Sequence, residues 1–400
     1  MRIAVLADDL TGAADTGVQL VRAGYRTAVI FRGEPLPEDF DAVVIDTDTR
    51  TKRARQAVKR VSEVAREVRS AEIIYKKLDS TLRGSIAAEI SVTLEATNFD
   101  RAIVAPAFPG AGRTTVDGVQ LVHGVPVHET EMRNDPRTPV TEGHVPTLLR
   151  ETLSSVETLN LEELEDPEIV QRKLEESTCV VVDAKRDADL ETLVRAVPEP
   201  SEVLWVGSAG LAGALGVVYP GPGAEESGPG TQAASRVLVV IGSVSGVARE
   251  QLRCLTEEYG EVAYSIRADS VDAVKEAVEK ARRALDEGPC AVLHSPEERG
   301  EKGATGKFVK ALTEAVEFLA QDDAFDALVL TGGSTAMGVS RVLGASGIRL
   351  DGEVEAGVPV GAMIGPHPYS VVTKAGAFGS EDTLVQAVKT LLQSGEEQNT

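Results

Sequence analysis

Short runs of β-branched apolar residues alternate along the first half of the chain with longer stretches whose apolar residues recur every three or four positions. Residues 3–7, 27–31, 42–45, 72–75 and 102–105 have the length and composition of buried strands. Residues 13–23, 52–68 and 85–96 read as helices. In the second of these Ala54, Ala57, Val58, Val61, Val64, Ala65 and Val68 fall on one face, while Gly24 suits the end of the first. Past Pro106 the rhythm breaks: residues 106–140 are rich in Gly, Pro, Thr and charge, with two short β-like runs. Their interleaved apolar residues predict an ordered, functional excursion. A strand at 179–182 ends at Asp183, and 204–206 runs into Gly207-Ser208-Ala209-Gly210.

Residues 219–235, YPGPGAEESGPGTQAAS, have no apolar periodicity and predict a linker between domains at 1–218 and 236–400. Strand-like runs resume at 237–241, near 262–266, at 291–294 and at 327–330. A hairpin is predicted from 358–364 and 369–373, a last helix over 380–392, and a polar, frayed tail from Ser394. The alternation predicts an α/β protein: two α/β/α domains with mainly parallel sheets.

Composition narrows the functions. At 400 residues two cores are expected. A net charge of −22 argues against nucleic acid or an anionic membrane as partner, since both reward positive charge. Cys179, Cys254 and Cys290 lack CxxC spacing and lie in or beside apolar runs, so buried thiols in a reducing, cytoplasmic setting are expected. No run approaches a membrane span, and the N-terminus lacks a signal-peptide pattern.

The chemistry gathers where strands end. The first strand stops at Asp8-Asp9-Leu10-Thr11-Gly12, a place where α/β sheets hold ligands; either aspartate also suits a helix cap, and Asp9 is read as the working residue with Asp8 as the cap. Its counterpart is Lys76-Lys77-Leu78-Asp79-Ser80-Thr81-Leu82-Arg83-Gly84. Arg83 has the fork to clamp a carboxylate, Asp9 and Asp79 the oxygens to accept substrate hydroxyls, and at least one of the lysines reads as a solvated strand end. Arg113, in the excursion, is a further anion contact. In the second half Gly242–Gly246, Thr331–Thr335 and Lys374–Gly379 are glycine turns at strand ends, suited to bring backbone amides to phosphates. Two other patterns fail: Gly303–Phe308 lacks the upstream glycine and trailing hydroxyl of a phosphate loop, and Gly207–Gly213 lacks dinucleotide spacing. A rival site is Asp46-Thr47-Asp48, the arrangement of aspartate-nucleophile phosphatases, with Asp183, Lys185 and Asp187 as an approximate remainder. The five histidines form no zinc pattern.

With these motifs in order, the sequence resembles the four-carbon acid sugar kinases, a family of 3-oxo-tetronate, threonate and erythronate kinases. The resemblance rests on ADDLTGAADTG (7–17), KKLDSTLRGSIAAE (76–89), PAFPGAGRTTVDG (106–118), IGSVSG (from 241), LTGGSTA (from 330) and KAGAFG (from 374). It implies an N-terminal domain that binds the acid sugar and a C-terminal domain that binds ATP. ATP-dependent phosphorylation of a terminal hydroxyl would proceed with Mg²⁺ in the interdomain cleft. Carried over, Asp9, Asp79, Ser80 and Arg83 face the sugar acid, and Ser243, Gly332, Gly333, Ser334, Thr335 and Gly376 face the nucleotide. The residues' own chemistry adds Asp8 and Arg113 on the acid side, Lys374 and Gly379 on the nucleotide side, and Asp9 as the expected catalytic base. The chain departs from the family at Ser334, where an acidic residue is frequent, and at Ala375 or Ala377. Metal ligands are not assigned, and a homodimer is left open. The alternatives are the Asp46/Asp48 phosphatase and a non-catalytic nucleotide or sugar-acid sensor.

Overall fold

The computed structural model describes residues 1–223, 233–268, 270–296 and 304–393. Most of the expected linker (224–232), Gly303 of the failed phosphate loop and the tail from Ser394 lie outside the described residues. The chain divides into two compact units, Met1–Glu225 and Glu226–Thr400.

The first unit carries β1 (Ile3–Ala7), β2 (Thr27–Phe31), β3 (Ala42–Asp46), β4 (Ile73–Lys77), β5 (Ala102–Ala105), β6 (Arg113–Val116), β7 (Val119–Val122), β8 (Val125–Pro126), β9 (Val156–Leu159), β10 (Cys179–Val182) and β11 (Leu204–Gly207). Eight of them form a sheet in the order β2-β3-β1-β4-β11-β5-β10-β9, and every neighbouring pair is parallel. Strands β1, β3 and β4 are buried along their whole length, as continuous apolar runs in a sheet covered on both faces should be. Helix Leu10–Arg22 packs on Ala209–Val218 and that helix on Asp187–Ala196, while Ala54–Glu67 packs on Ile86–Thr97. Because β2 and β3 lie on one side of β1 and β4 on the other, the chain changes direction between β1 and β4. Open α/β sheets leave a crevice beyond the carboxyl ends of their strands at such a switch. The excursion after Pro106 is ordered, and it forms three strands, β6-β7-β8, rather than two.

The second unit carries β12 (Val237–Ile241), β13 (Ala263–Ser265), β14 (Cys290–His294), β15 (Ala327–Thr331), β16 (Gly347–Glu355), β17 (Val358–Ile364) and β18 (Ser370–Lys374), in the order β13-β14-β12-β15-β18-β17-β16. The first five run parallel, and β17 is antiparallel to both β18 and β16. Val237, Val239, Ile241, Val329 and Val372 pack with Leu384, Val388 and Leu391 of the last helix in one core. Here the switch lies between β12 and β15. The sequence pattern missed β9 and β16: Val-Glu-Thr-Leu is too short to show alternation, and glycines and charges interrupt Gly347–Glu355. Among the described residues no helix is long and apolar enough to cross a membrane. Cys179 and Cys290 are buried and Cys254 only half-buried, against the expectation of three buried thiols; none forms a disulfide.

Candidate active site

In the first unit the switch point is lined by charge. Strand β1 delivers Asp8 and Asp9, and helix Leu10–Arg22 starts at once, three residues before the sequence pattern placed it. Asp9 is the N-cap: its Oδ1 accepts from the Gly12 amide at 2.8 Å. The capping role that the sequence pattern assigned to Asp8 therefore belongs to Asp9. Asp8 instead takes two of the three guanidinium nitrogens of Arg50, with Nε to Oδ2 at 2.7 Å and Nη2 to Oδ1 at 2.9 Å. The remaining nitrogen, Nη1, donates to Asp9 Oδ2. Bidentate geometry of this kind gives orientation as well as strength. Burial pushes Asp8 up, but the Arg50 guanidinium, helped by Lys77 and Lys76, outweighs it and holds the carboxyl below its ordinary value. Asp9 goes the other way: burial and the Asp8 charge raise it despite Arg50. Of the two side chains Asp9 is the more open, at 29% exposed against 5% for Asp8.

Strand β4 supplies the opposite wall. Asp79 Oδ2 accepts from Thr81 Oγ1 and from Arg83 Nε, each at 2.6 Å. Burial opposes its charge, but Arg50 and Arg83 hold its carboxyl far below the usual range. Lys76 and Lys77 are not a solvated strand end: β4 extends through both, at 2% and 3% exposure, because it runs in mid-sheet between β1 and β11. Lys76 Nζ pairs with Glu89 Oε2 at 2.9 Å and donates to the Lys77 carbonyl at 2.7 Å. A Cβ at Gly12 would come within 2.8 Å of Lys77 Nζ, so the bare glycine makes room for that ammonium beside Asp9. The turn after Asp79 holds Leu82 at a left-handed φ of 59°, which few non-glycine residues adopt and which recurs at ligand sites.

The excursion is fastened to this wall. Gln120 Nε2 donates to the Ser80 carbonyl at 2.8 Å, and Asp183 accepts from the Asp117 and Gly118 amides at 2.7 and 2.9 Å. Arg83 Nη1 lies 3.5 Å from Asp135 Oδ2. Arg113 donates to the Ala111 carbonyl, and its Nε is buried without a partner. No hydrogen bond or ion pair among the described residues joins it to the Asp8–Asp9–Asp79 group. Arg50 is the residue that sequence reasoning missed. It follows β3, and only the β3–β1 adjacency would have brought it to Asp8.

The phosphatase reading loses its geometry. Asp46 is 2% exposed and its Oδ1 accepts from the Asp48 amide at 2.8 Å, which leaves no open nucleophile. Burial pushes its carboxyl up to about 7, where a nucleophilic carboxylate would be half protonated at neutral pH. Asp48 is tied to Lys52 and Arg60 at 3.0 and 2.8 Å, and Asp183 is committed to its turn.

In the second unit the three glycine turns converge, as adjacent ends of β12, β15 and β18 require. The Gly242 amide donates to the Thr331 carbonyl at 3.1 Å and the Gly332 amide to the Lys374 carbonyl at 2.9 Å. Ser245 Oγ caps helix Gly246–Tyr259 through the Ala248 amide and donates to the Gly376 carbonyl at 2.5 Å. A Cβ at Gly242 would overlap Thr335 Oγ1, and one at Gly376 would overlap Ser243 Oγ. Gly332, at φ 100°, stands at the N-cap of helix Gly333–Val342 with no side-chain cap, at a turn where Gly333 and Ser334 are exposed. Lys374 is 4% exposed, and burial lowers its ammonium to about 8 while Glu355 pulls it back up. Gly379, at φ 85°, lies so close to Thr383 that a Cβ would overlap Oγ1, which brings its loop against the last helix. Two further residues hold the same loop. Gln251 Nε2 donates to the Phe378 and Ser380 carbonyls at 3.1 and 2.6 Å, and Glu355 accepts from the Ser380 amide at 3.0 Å and Thr383 Oγ1 at 2.6 Å.

Close-approach glycines, an uncapped helix N-terminus and a buried lysine together could hold a polyphosphate. Among the described residues no group of three His, Cys, Asp or Glu side chains could hold a metal ion.

Comparison with known proteins points the same way. Residues 3–215 match a sugar-binding N-terminal domain and residues 238–384 a nucleotide-binding C-terminal domain. The chain is 36% identical to a D-threonate kinase of Bordetella bronchiseptica over 407 residues, 97% of each chain. It is 30% identical to a D-erythronate kinase of Heliobacterium modesticaldum, covering 98% of this chain and 97% of that one. A solved Salmonella typhimurium structure described as a putative tRNA synthase superposes with a TM-score of 0.82 at 23% identity, covering 96% and 98%, and shares the fold.

Proposed function

The chain belongs to the four-carbon acid sugar kinases, and from that premise we propose that the first unit binds the acid sugar and the second unit binds ATP. The enzyme is a phosphotransferase with an alcohol acceptor, acting on an acid such as D-threonate or D-erythronate. The observation that carries the division of labour is the meeting of three glycine turns at the β12/β15 switch, where a carbon atom on Gly242 or Gly376 would not fit.

On the acceptor side Arg83 and Arg113 offer guanidinium forks to the sugar carboxylate, and Asp79 and Ser80 offer partners to its hydroxyls. Asp9, more open than Asp8 and raised above its ordinary value, takes the proton of the attacking hydroxyl. Asp8 and Arg50 hold it in place. On the donor side the Gly332–Thr335 amides, Ser243 and Gly376 hold the polyphosphate, and Lys374 offsets the charge that develops on it. Mg²⁺ would neutralise and align the phosphates. An assay coupled to ADP, run with a panel of four-carbon acids, tests the reading. ADP should form only when a tetronate is added, and Asp9→Asn should lower kcat by about 100-fold or more. ADP formation indifferent to the added acid, or normal turnover by Asp9→Asn, would count against it.

A further inference from the structure

Large apolar side chains exposed to solvent are few. Among the described residues they are Met1, Val125, Val217, Val244, Val247, Val271, Phe318, Val342 and Phe378. Two of the nine, Val244 and Phe378, belong to turns that meet at the second unit's crest, and a third, Val247, stands in the first turn of helix Gly246–Tyr259 beside them. Scattered exposed apolar residues need no explanation, but a cluster beside a ligand crest does.

Backbone and side-chain hydrogen bonds tie the segments that carry these three to one another. Val244 stands between Ser243 and Ser245, and Ser245 Oγ donates to the Gly376 carbonyl, two residues before Phe378. Val247 lies one helical turn before Gln251, on the same face of helix Gly246–Tyr259. Gln251 in turn donates to the Phe378 carbonyl at 3.1 Å, so Val247 sits above the contact that fixes Phe378. The Phe378 ring rests against bare Gly357, whose φ is 78° and where a Cβ would come within 2.8 Å of Cδ1 and 3.1 Å of Cε1. The ring is thus backed by a glycine, pinned through its own carbonyl, and still 42% exposed.

We infer that Phe378, flanked by Val244 and Val247, is the platform for the base of the nucleotide whose phosphates the glycine turns hold. A nucleoside triphosphate needs two unlike surfaces side by side, amide donors for its phosphates and a flat apolar face for its base. Aromatic side chains stack on any base, so this platform raises affinity for purine nucleotides generally and does not by itself choose among them. The inference rests on the nucleotide reading of the second unit.

The test compares ATP with inorganic tripolyphosphate, which has the phosphates and lacks the base, on the full-length chain. Phe378→Ala should raise the KM for ATP about 10-fold, more than it lowers kcat, and leave tripolyphosphate inhibition unchanged; Phe378→Tyr should restore the ATP KM. Phe378→Trp adds a direct readout, since the chain's one tryptophan, Trp205, is fully buried in the other unit. ATP should quench the new fluorescence and tripolyphosphate should not. An unchanged ATP KM in Phe378→Ala, or equal weakening of ATP and tripolyphosphate, overturns the inference and leaves the nucleotide site standing. Failure of both ligands to bind the wild type overturns the nucleotide site and the inference with it.

Discussion

Both units place their candidate chemistry at the carboxyl ends of parallel strands, at the point where strand order reverses, yet they build it from opposite materials. At the β1/β4 switch the first unit uses side chains: Asp8, Asp9 and Asp79 around Arg50, with two buried lysines behind them. At the β12/β15 switch the second unit uses backbone: glycine turns, an uncapped helix start, and one buried lysine. The difference is the one expected of the two ligands proposed for them. A small polyhydroxy acid must be told from its isomers by directed partners, whereas a polyphosphate asks for many equivalent donors in a space with no Cβ in the way.

The two designs should fail differently. The largest effect is expected at Arg50. Arg50→Met strands the buried carboxylate of Asp8 and strips Asp9 of its guanidinium partner, at a cost of about 3–5 kcal/mol in stability, measurable by denaturant unfolding, with loss of turnover. Arg50→Lys should rescue neither, because an ammonium cannot serve Asp8 bidentately and reach Asp9 as well. Next comes Lys374. Burial has lowered it to about 8, so it loses its charge as pH rises through that value, and kcat/KM should fall on the alkaline side. Lys374→Arg should carry that limb to higher pH, and Lys374→Met should abolish the limb while lowering kcat about 100-fold. The smallest effect is expected at Ser243→Ala, about 3-fold in the KM for ATP, because a hydroxyl is a minor part of a backbone cradle. A larger loss there than at Lys374 would break the contrast.

The sequence carried most of the fold for a physical reason: strands buried on both faces must be continuous apolar runs, and these are visible without knowing their neighbours. What it did not carry is adjacency. Lys76 and Lys77 look like a wet strand end until β4 is seen between β1 and β11, where both are enclosed. Arg50 sits in the basic run Arg50-Thr51-Lys52-Arg53 and looks like any solvated charge until β3 pairs with β1 and swings it onto Asp8. The exchange of the cap from Asp8 to Asp9 is of the same kind, since only the exit angle of β1 decides which carboxylate meets the Gly12 amide. Glycine turns are easier to locate, because their backbone geometry is local and does not depend on the sheet order. Gln251 and Glu355, which hold the last of those turns from distant elements, left no local signal.

The most direct test of a side-chain site in one unit and a backbone site in the other is equilibrium binding of D-threonate and of ATP to two full-length variants. Gly376→Ala adds the Cβ that Ser243 Oγ excludes, and Arg83→Met removes a partner of Asp79. Titration calorimetry should find ATP binding weakened about 10-fold or more in Gly376→Ala with D-threonate affinity unchanged, and the reverse in Arg83→Met. Parallel loss of both ligands in either variant, or loss of the opposite ligand, would contradict the assignment of acceptor to the first unit and nucleotide to the second.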